Sequence, residues 1–173
     1  TLLVFSGAFR VGDRIQIGDV RGDVEESTLA LTRIRTSKNE LVTFSNAAVL
    51  NEGFINYSTL AREDGLILHT TISIGYEVPW RRVHELLVQA GLGTDGVLEE
   101  PAPFVIQTAL NDHHVSYEIN VHTQQANRML RILGELHQNI QDAFNASGIE
   151  ILSPVYAAHR DGAASTVPEP DVG

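Results

Sequence analysis

The stretch that decides the fold is FRVGDRIQIG at residues 9–18, and the segment it opens closes on FINYS at residues 54–58. Ile15 and Ile17 alternate with polar neighbours, which is the period of a strand with one buried face. Three glycines interrupt the apolar runs where tight turns need a residue that tolerates positive φ. These glycines are Gly12, Gly18 and Gly22. The pattern predicts a small, strongly twisted β module.

Residues 11–44 of this module are predicted to contain three or four strands. Residues 24–36 alternate irregularly, which favours one long, bent strand that changes its buried face through a bulge. SKNE at residues 37–40 supplies a turn, and residues 41–44 return as the hairpin partner. Ser45 or Asn46 then caps a short helical turn before the last strand of the module. We predict the helical turn at residues 47–50 and the last strand at 54–57.

The second half of the chain has the order β-α-β-β-α-β. The predicted elements are a strand at 66–74, a helix at 79–91, strands at 104–110 and 115–121, a helix at 125–146 and a strand at 149–152. Pro79 suits a helix start, whereas Gly91 and Gly148 suit helix ends. This order predicts two helices packed on one face of a four-stranded antiparallel sheet, the ferredoxin-like pattern.

Composition excludes several classes of site. The chain has 173 residues and no cysteine, so disulfides and thiolate zinc sites are excluded. Its net charge of -10, with Lys38 as the only lysine, argues against a surface that binds nucleic acid. No run of apolar residues reaches the roughly 18 to 20 that a membrane span needs.

Some polar residues are of types that bind metals or catalyse reactions, but a solvated turn or a surface position explains each of them more simply. Residues 112–114, Asp-His-His, resemble a metal site, yet neighbouring strand residues point to opposite faces, so a solvated turn and no metal are predicted. His84 and His137 are predicted at the surfaces of helices. The acidic residues are predicted to form a solvated rim, and nothing accompanies them as a nucleophile. They are Asp13, Asp19, Asp23, Glu25 and Glu26.

A basic group in the first half has two readings. Its members are Arg10, Arg14, Arg33 and Arg35. It lacks the interleaved aromatic residues of a nucleic-acid surface. It would suit a junction that contacts either anionic lipid headgroups or neighbouring acidic residues.

Six motifs in this first half are similar to the conserved middle domain of the small-conductance mechanosensitive channel family. They are FRVGD at 9–13, IQIG at 15–18, VRGDVEE at 20–26, TRIRT at 32–36, VTFSN at 42–46 and INYS at 55–58. The resemblance extends over about residues 2–156. It departs from the family at Ser45, where a proline usually precedes the asparagine.

The resemblance implies an α+β fold: a small Sm-like β-barrel domain at residues 9–59, followed by a ferredoxin-like βαββαβ domain at 60–157. Residues 1–9 by periodicity alone fit either a first strand or the end of a longer helix. The resemblance favours residues 1–8 as the truncated end of a pore-lining helix. Residues 158–173 are predicted to be a flexible tail, because they are small, polar and proline-rich.

In function, the resemblance implies the cytoplasmic vestibule of a tension-gated channel that releases ions and small solutes on hypo-osmotic shock. The expected partners are further copies of the chain, as a ring that is a heptamer in the family, and the bilayer, through membrane helices upstream of residue 1. The location would be a bacterial inner membrane, with this portion in the cytoplasm. No enzyme activity, cofactor, metal or nucleic acid is expected. The alternative is a soluble Sm-like or ferredoxin-like module that binds RNA or protein.

The resemblance also suggests mechanical roles for eight residues. Phe9 and Arg10 would couple the pore helix to the β module, and Gly12 with Asp13 would make the turn into the first strand. The remaining four would hold the closing turn of the module and its exit. They are Asn46, Asn56, Tyr57 and Ser58. Each of the eight has an equally good structural reading as a turn, cap or core residue.

Overall fold

The computed structural model describes residues 7–152. The expected helix end at residues 1–8 therefore lies mostly outside the described residues, and the expected tail at 158–173 lies wholly outside them. The described chain forms two compact units. The first contains residues 7–66 together with Gln124–Met129, and the second contains Ile67–Thr123 together with residues 130–152. Within residues 7–152, no helix combines the length and the apolar character needed to cross a membrane.

The first unit is built on a five-stranded sheet in the order β4-β3-β2-β1-β5. Its elements are β1 (Arg14–Ile17), β2 (Val20–Ser27), β3 (Leu31–Thr36), β4 (Leu41–Ser45), α1 (Asn46–Glu52), β5 (Ile55–Asn56), α2 (Ser58–Ala61) and a 3₁₀ helix (Ala126–Arg128). Neighbouring strands pair antiparallel throughout. The hairpin of β3 and β4 confirms the predicted turn at residues 37–40.

The core of the first unit is small and mostly aliphatic, and it includes one aromatic ring. Its buried members are Phe9, Ile15, Ile17, Val24, Ile34 and Val49. The Phe9 ring meets the Phe54 ring edge to face, with the ring centroids 5.1 Å apart. Ile15 and Ile17 are both buried, as their alternation predicts. Phe9, which precedes the first strand, is thus part of the hydrophobic core.

The prediction of one long strand at residues 24–36 is wrong. The chain turns at residues 28–30, where the Thr28 hydroxyl accepts hydrogen bonds from the backbone N–H groups of Ala30 and Leu31. A hydroxyl that satisfies nearby backbone donors stabilises a turn in place of a continued strand. The predicted bulge is confirmed, and it lies between Val24 and Glu26 in β2.

A helix cap and the glycines of the first unit each have a specific structural role. Ser45 caps α1, because its side chain accepts a hydrogen bond of 3.1 Å from the Ala48 N–H. Gly12 and Gly18 have positive φ as predicted, whereas Gly22 does not and lies inside β2. A Cβ at Gly22 would overlap the backbone carbonyl of Arg35 on β3. The close approach of two strands, and not a turn, therefore requires glycine there.

The second unit combines a three-stranded sheet, in the order β6-β8-β7, with two helices. Its elements are β6 (Leu66–Ile74), α3 (Trp80–Leu92), β7 (Phe104–Leu110), β8 (Val115–Thr123) and α4 (Met129–Ala146). The fold class is α+β, as predicted. Buried side chains come from both helices and from alternate positions of β8. They include Val83, Leu87, Tyr117, Ile119, Ile132, Leu136 and Phe144.

Two predicted elements of the second unit differ in the structure. Helix α3 continues past Gly91 and is capped at Gly93. Gly91 is buried, and a Cβ there would lie 3.1 Å from the Val121 side chain, so glycine allows the helix to approach the sheet. Residues 149–152 do not form a strand. Instead the Leu152 N–H donates a hydrogen bond of 2.8 Å to the Ser73 carbonyl, along the free edge of β6.

The substitution Gly22→Ala should destabilise the first unit. The added Cβ overlaps the carbonyl oxygen of Arg35, so β2 and β3 must separate, at a cost of about 1–3 kcal/mol. Thermal unfolding followed by circular dichroism measures the loss. Gly134→Ala is the matched control, because Gly134 lies in α4 with open space around its Cα and should gain about 1 kcal/mol in helix propensity. Equal melting temperatures for Gly22→Ala and the wild type would contradict this account of β2.

Candidate functional site

The chain enters the β module through residues 8–13, here called the leading segment, and this segment is fastened by Asp13. Asp13 is buried, with 3% of the residue exposed. Its Oδ2 accepts hydrogen bonds of 3.1 Å from the Arg10 N–H and from Asn56 Nδ2, and its Oδ1 accepts one of 2.9 Å from Arg62 Nη1. The expectation that Asp13 belongs to a solvated rim is wrong, because these three donors replace the water that burial removes.

The electrostatics of this site favour the ionised carboxylate. Burial by itself raises the pKa of Asp13. The hydrogen bonds from Arg62, Asn56 and the Arg10 backbone, together with the charge of Arg62, outweigh burial and hold the pKa below its ordinary value of 3.8. Asp13 therefore carries a negative charge at neutral pH, and that charge is paired.

Asn56 joins the start of the module to its exit. Its Nδ2 donates to the Ala8 carbonyl at 3.0 Å as well as to Asp13. Its Oδ1 accepts hydrogen bonds of 2.9 Å from the Ser58 N–H and 3.1 Å from the Thr59 N–H. A single side chain thus holds a backbone carbonyl of the leading segment and the first turn of α2.

The two residues after Asn56 are bonded to β1. The Ser58 hydroxyl accepts a hydrogen bond of 2.8 Å from the Arg14 N–H, and the Tyr57 N–H donates to the Arg14 carbonyl at 2.9 Å. The Tyr57 hydroxyl donates to Gln16 at 2.8 Å. The Arg21 guanidinium lies over the Tyr57 ring, 5.1 Å from its centroid. The exit of the module is therefore bonded to its first strand.

Arg14, Asp23 and Asn127 form a second polar cluster beside Gly12. The Arg14 guanidinium contacts both carboxylate oxygens of Asp23, at 2.7 and 3.1 Å, and donates to the Asn127 carbonyl at 3.0 Å. Asn127 Nδ2 donates to Asp23 at 2.6 Å and to the Gly12 carbonyl at 3.0 Å. The facing positions of Arg14 and Asp23 in the hairpin could have been read from the sequence, but Asn127, far along the chain, could not.

Phe9, Arg10 and Gly12 hold the leading segment in place through backbone hydrogen bonds and through burial in the core. Phe9 is buried against Phe54, and the Arg10 side chain is exposed while its backbone N–H and C=O both bond to Asp13. Gly12 has a φ of 93° and donates its N–H to the Val24 carbonyl at 2.8 Å. That φ is one that residues with a Cβ avoid.

Asn46 takes part in a different set of bonds. It is buried at the start of α1, where its Oδ1 accepts from the Thr32 hydroxyl at 2.9 Å and its Nδ2 donates to the Thr28 carbonyl at 2.9 Å. These bonds hold the turn before β3. The structure therefore unites Gly12, Asp13, Asn56 and Ser58 in one connected network and places Asn46 outside it.

Three of the four grouped arginines pair with neighbouring acidic residues. Arg14 contacts Asp23, Arg33 contacts Glu26 at 2.7 Å, and Arg35 contacts Glu25. The reading of this group as cations for neighbouring acidic residues is confirmed for these three. The Arg33 and Arg35 pairs are half exposed, so each contributes little stability.

The histidines separate into solvent-facing and packed positions. Residues 112–114 lie in the turn between β7 and β8, and no group of three His, Asp or Glu side chains within residues 7–152 could hold a metal. His137 is exposed and lies 2.9 Å from the Thr70 hydroxyl. The prediction of a surface position for His84 is wrong, because its ring packs edge-on against Trp80 and Tyr117.

The substitution Asp13→Asn should remove a pH-dependent part of the stability. The pKa of folded Asp13 is lowered, so its charge stabilises the fold at neutral pH, and this contribution disappears as the pH falls through the folded-state pKa. We expect a loss of about 1–3 kcal/mol in the free energy of unfolding near pH 7. Urea denaturation at several pH values should show the difference from the wild type shrinking in acid.

The control for this experiment is Asp19→Asn, which removes the same charge from an exposed turn. It should leave stability within about 0.5 kcal/mol of the wild type. A pH-independent difference for Asp13→Asn would contradict the role assigned to the ionised carboxylate.

The substitution Gly12→Val should impair folding of the first unit. A β-branched residue at a φ of 93° is strained by about 1–3 kcal/mol even though space is available. Thermal unfolding measures this cost. Gly134→Val, in α4 without positive φ, is the matched control and should leave the melting temperature nearly unchanged. An unchanged melting temperature for Gly12→Val would show that the turn tolerates a side chain.

Comparison with known proteins gives two adjacent family matches. The model described as the β-domain of mechanosensitive ion channels matches residues 1–59, and the model described as the C-terminal region of the mechanosensitive ion channel MscS matches residues 68–151. Among solved structures, the closed-state crystal structure of Helicobacter pylori MscS aligns with a TM-score of 0.72 at 22% identity, covering 88% of this chain and 59% of that chain. This likeness shows a shared fold.

Curated relatives resemble the chain along most of its length. It is 26% identical over 155 residues to the miniconductance mechanosensitive channel MscM of Escherichia coli, which covers 90% of this chain and 14% of that protein. It is 28% identical over 158 residues to an uncharacterized MscS family protein of Synechocystis, covering 91% of this chain and 52% of that protein. The chain thus spans about half, or less, of these relatives. Because the two family matches follow one another along nearly the whole chain, it belongs to the MscS family of mechanosensitive ion channels.

Proposed function

We propose that this chain is the cytoplasmic vestibule of a tension-gated channel, which releases ions and small solutes when a cell meets hypo-osmotic shock. Membership of the MscS family supports this proposal. Residues 1–8 would be the end of a pore-lining helix, and a membrane portion would precede them. Residues 9–59 would be the Sm-like domain, 60–157 the ferredoxin-like domain and 158–173 a flexible tail. The channel would lie in a bacterial inner membrane, with this portion in the cytoplasm.

The observation that supports the proposal most directly is that hydrogen bonds and burial hold the leading segment to the β module. Its start is held by the bond from Asn56 to the Ala8 carbonyl, its middle by the burial of Phe9, and its end by the donors around Asp13. A segment held at three points moves with the module it is bonded to. A displacement applied ahead of Phe9 would therefore reach the β module with little loss, as coupling between a pore helix and a vestibule requires.

The edges of the first sheet support assembly into a ring. Its edge strands are β4 and β5, and each carries an exposed aliphatic side chain: Leu41 is 60% exposed and Ile55 is 52% exposed. Open edges with apolar side chains favour pairing with another chain. Contact between β4 of one copy and β5 of the next is head-to-tail, and such contacts form a ring when the rotation from copy to copy closes. The proposed assembly is a homo-oligomer, a heptamer in the full-length protein.

The roles of the eight residues are part of the proposal. Phe9 and Arg10 couple the helix to the module, and Gly12 with Asp13 makes the turn. Asn56, Tyr57 and Ser58 hold the exit, while Asn46 supports the closing helix. The vestibule would catalyse no reaction and need no cofactor, and the arginine–carboxylate pairs at Arg14, Arg33 and Arg35 disfavour an RNA-binding role.

The test is electrical recording from the full-length protein in membrane patches of a bacterial strain without its own osmotic release channels. Suction should open the wild-type channel. Asn56→Leu removes the amide that joins Ala8 and Asp13, so the dependence of open probability on tension should become shallower. Survival of hypo-osmotic shock should fall accordingly.

Asn51→Leu is the matched control, because Asn51 is exposed on α1. It should gate like the wild type. Absence of any tension-activated current from the wild type would reject the channel function, whereas identical tension curves for Asn56→Leu and Asn51→Leu would reject only the coupling role.

A further inference from the structure

The second unit contains a cavity of about 280 Å³ whose wall is partly aromatic. It lies where the loop before α3 meets the hairpin of β7 and β8. Three rings line it, those of Tyr76, Trp80 and Tyr117. The other lining residues are Val78, Pro79, Gln107, Leu110 and Val115. Tyr76 and Trp80 are 53% and 44% exposed, so solvent reaches the two outer rings, while Tyr117 is buried.

The aromatic wall is held in place by contacts that lie outside the cavity. The His84 ring lies edge-on to Trp80, with centroids 5.0 Å apart, and to Tyr117, with centroids 5.7 Å apart. The Tyr76 hydroxyl donates a hydrogen bond of 2.6 Å to the Asn111 carbonyl. Rings fixed before a ligand arrives lose little conformational entropy on binding, so such a site is preorganised.

Inside the cavity the ring faces, and not charged side chains, set the electrostatic potential. Among the described residues, those that line it include no charged side chain. Burial lowers the pKa of His84, so the imidazole behind the wall is neutral at neutral pH. The Arg81 guanidinium, which does not line the cavity, lies 4.2 Å from the centroid of Trp80. It occupies one face of the indole and its charge opposes the entry of a second cation, so the attraction from the rings of the cavity has to exceed that repulsion. The faces of aromatic rings carry negative potential, which repels anions.

From these contacts we propose that the cavity binds a small organic cation with an apolar surface, of the quaternary ammonium class. Such a cation is weakly hydrated and interacts with the faces of several rings at once. A small inorganic cation is excluded because the wall offers no carboxylate to replace its water. The aliphatic residues Val78, Leu110 and Val115 suit the methyl groups of the ligand. The competing occupant is a neutral apolar group, such as a side chain from another copy.

Trp80 is the only tryptophan in the chain, so its fluorescence reports directly on this cavity. The chain is titrated with tetramethylammonium chloride replacing sodium chloride at constant ionic strength, and in parallel with tert-butanol, a neutral molecule of the same shape. Tetramethylammonium should give a saturable change in the millimolar range, and tert-butanol should bind at least about tenfold more weakly. Equal responses, or no saturation by tetramethylammonium, would overturn the proposal.

A variant tests whether the aromatic ring of Tyr76, and not merely its apolar volume, contributes to binding. Tyr76→Leu keeps an apolar side chain but removes one π face, and it should weaken tetramethylammonium binding by about fivefold to tenfold. Phe104→Leu removes a partly exposed ring of β7 that does not line the cavity, and it should leave binding unchanged. Unweakened binding by Tyr76→Leu would contradict the aromatic site.

A measurement on the unaltered chain covers the case in which Tyr76→Leu fails to fold. In wild-type protein, nuclear Overhauser effects should connect the methyl protons of tetramethylammonium to the ring protons of Trp80 and Tyr76. Their absence under saturating ligand would overturn the proposal without reference to any variant. None of these three measurements depends on the channel function, because all of them use the chain in solution.

Discussion

The first unit depends on keeping one buried carboxylate satisfied. An ionised aspartate removed from water costs several kcal/mol unless donors surround it. Asp13 obtains its donors from the leading segment, from the end of β5 and from the chain beyond α2, through Arg10, Asn56 and Arg62. The folded unit therefore has to bring these three parts of the chain together. This requirement joins the leading segment, through which the chain enters the β module, to the residues through which the chain leaves it.

The ion pairs of the first unit differ in how much they stabilise it. The Arg14 and Asp23 pair is largely buried and makes two bonds, so its geometry is well determined. The pairs of Arg33 and Arg35 are half exposed and screened by solvent. A rigid polar cluster thus lies beside Gly12, whereas the weaker pairs lie along β2 and β3. That distribution suits the coupling role that we propose for the leading segment.

The second unit shows how glycine and aromatic residues shape a surface. Gly91 allows α3 to pack closely against Val121, and the same helix begins at Trp80, whose ring lines the aromatic cavity. His84, one turn later, packs edge-on against both that ring and the ring of Tyr117. The helix therefore contributes to the core with one face and to a ligand-sized cavity with its first turn.

Features set by neighbours in the sequence were predictable. The alternation of Ile15 and Ile17, the cap at Ser45 and the hairpin turn at residues 37–40 follow from strand period, cap chemistry and turn residues, which act over a few positions. The sequence alone also carried the family motifs and the α+β order. Only the tertiary structure decided that Asp13 is buried, that Asn127 bonds to Gly12, that His84 packs between two rings, and that Gly22 and Gly91 serve close approach. Each of these depends on a partner brought near by folding, and residue type and spacing do not specify which distant group will fill that place.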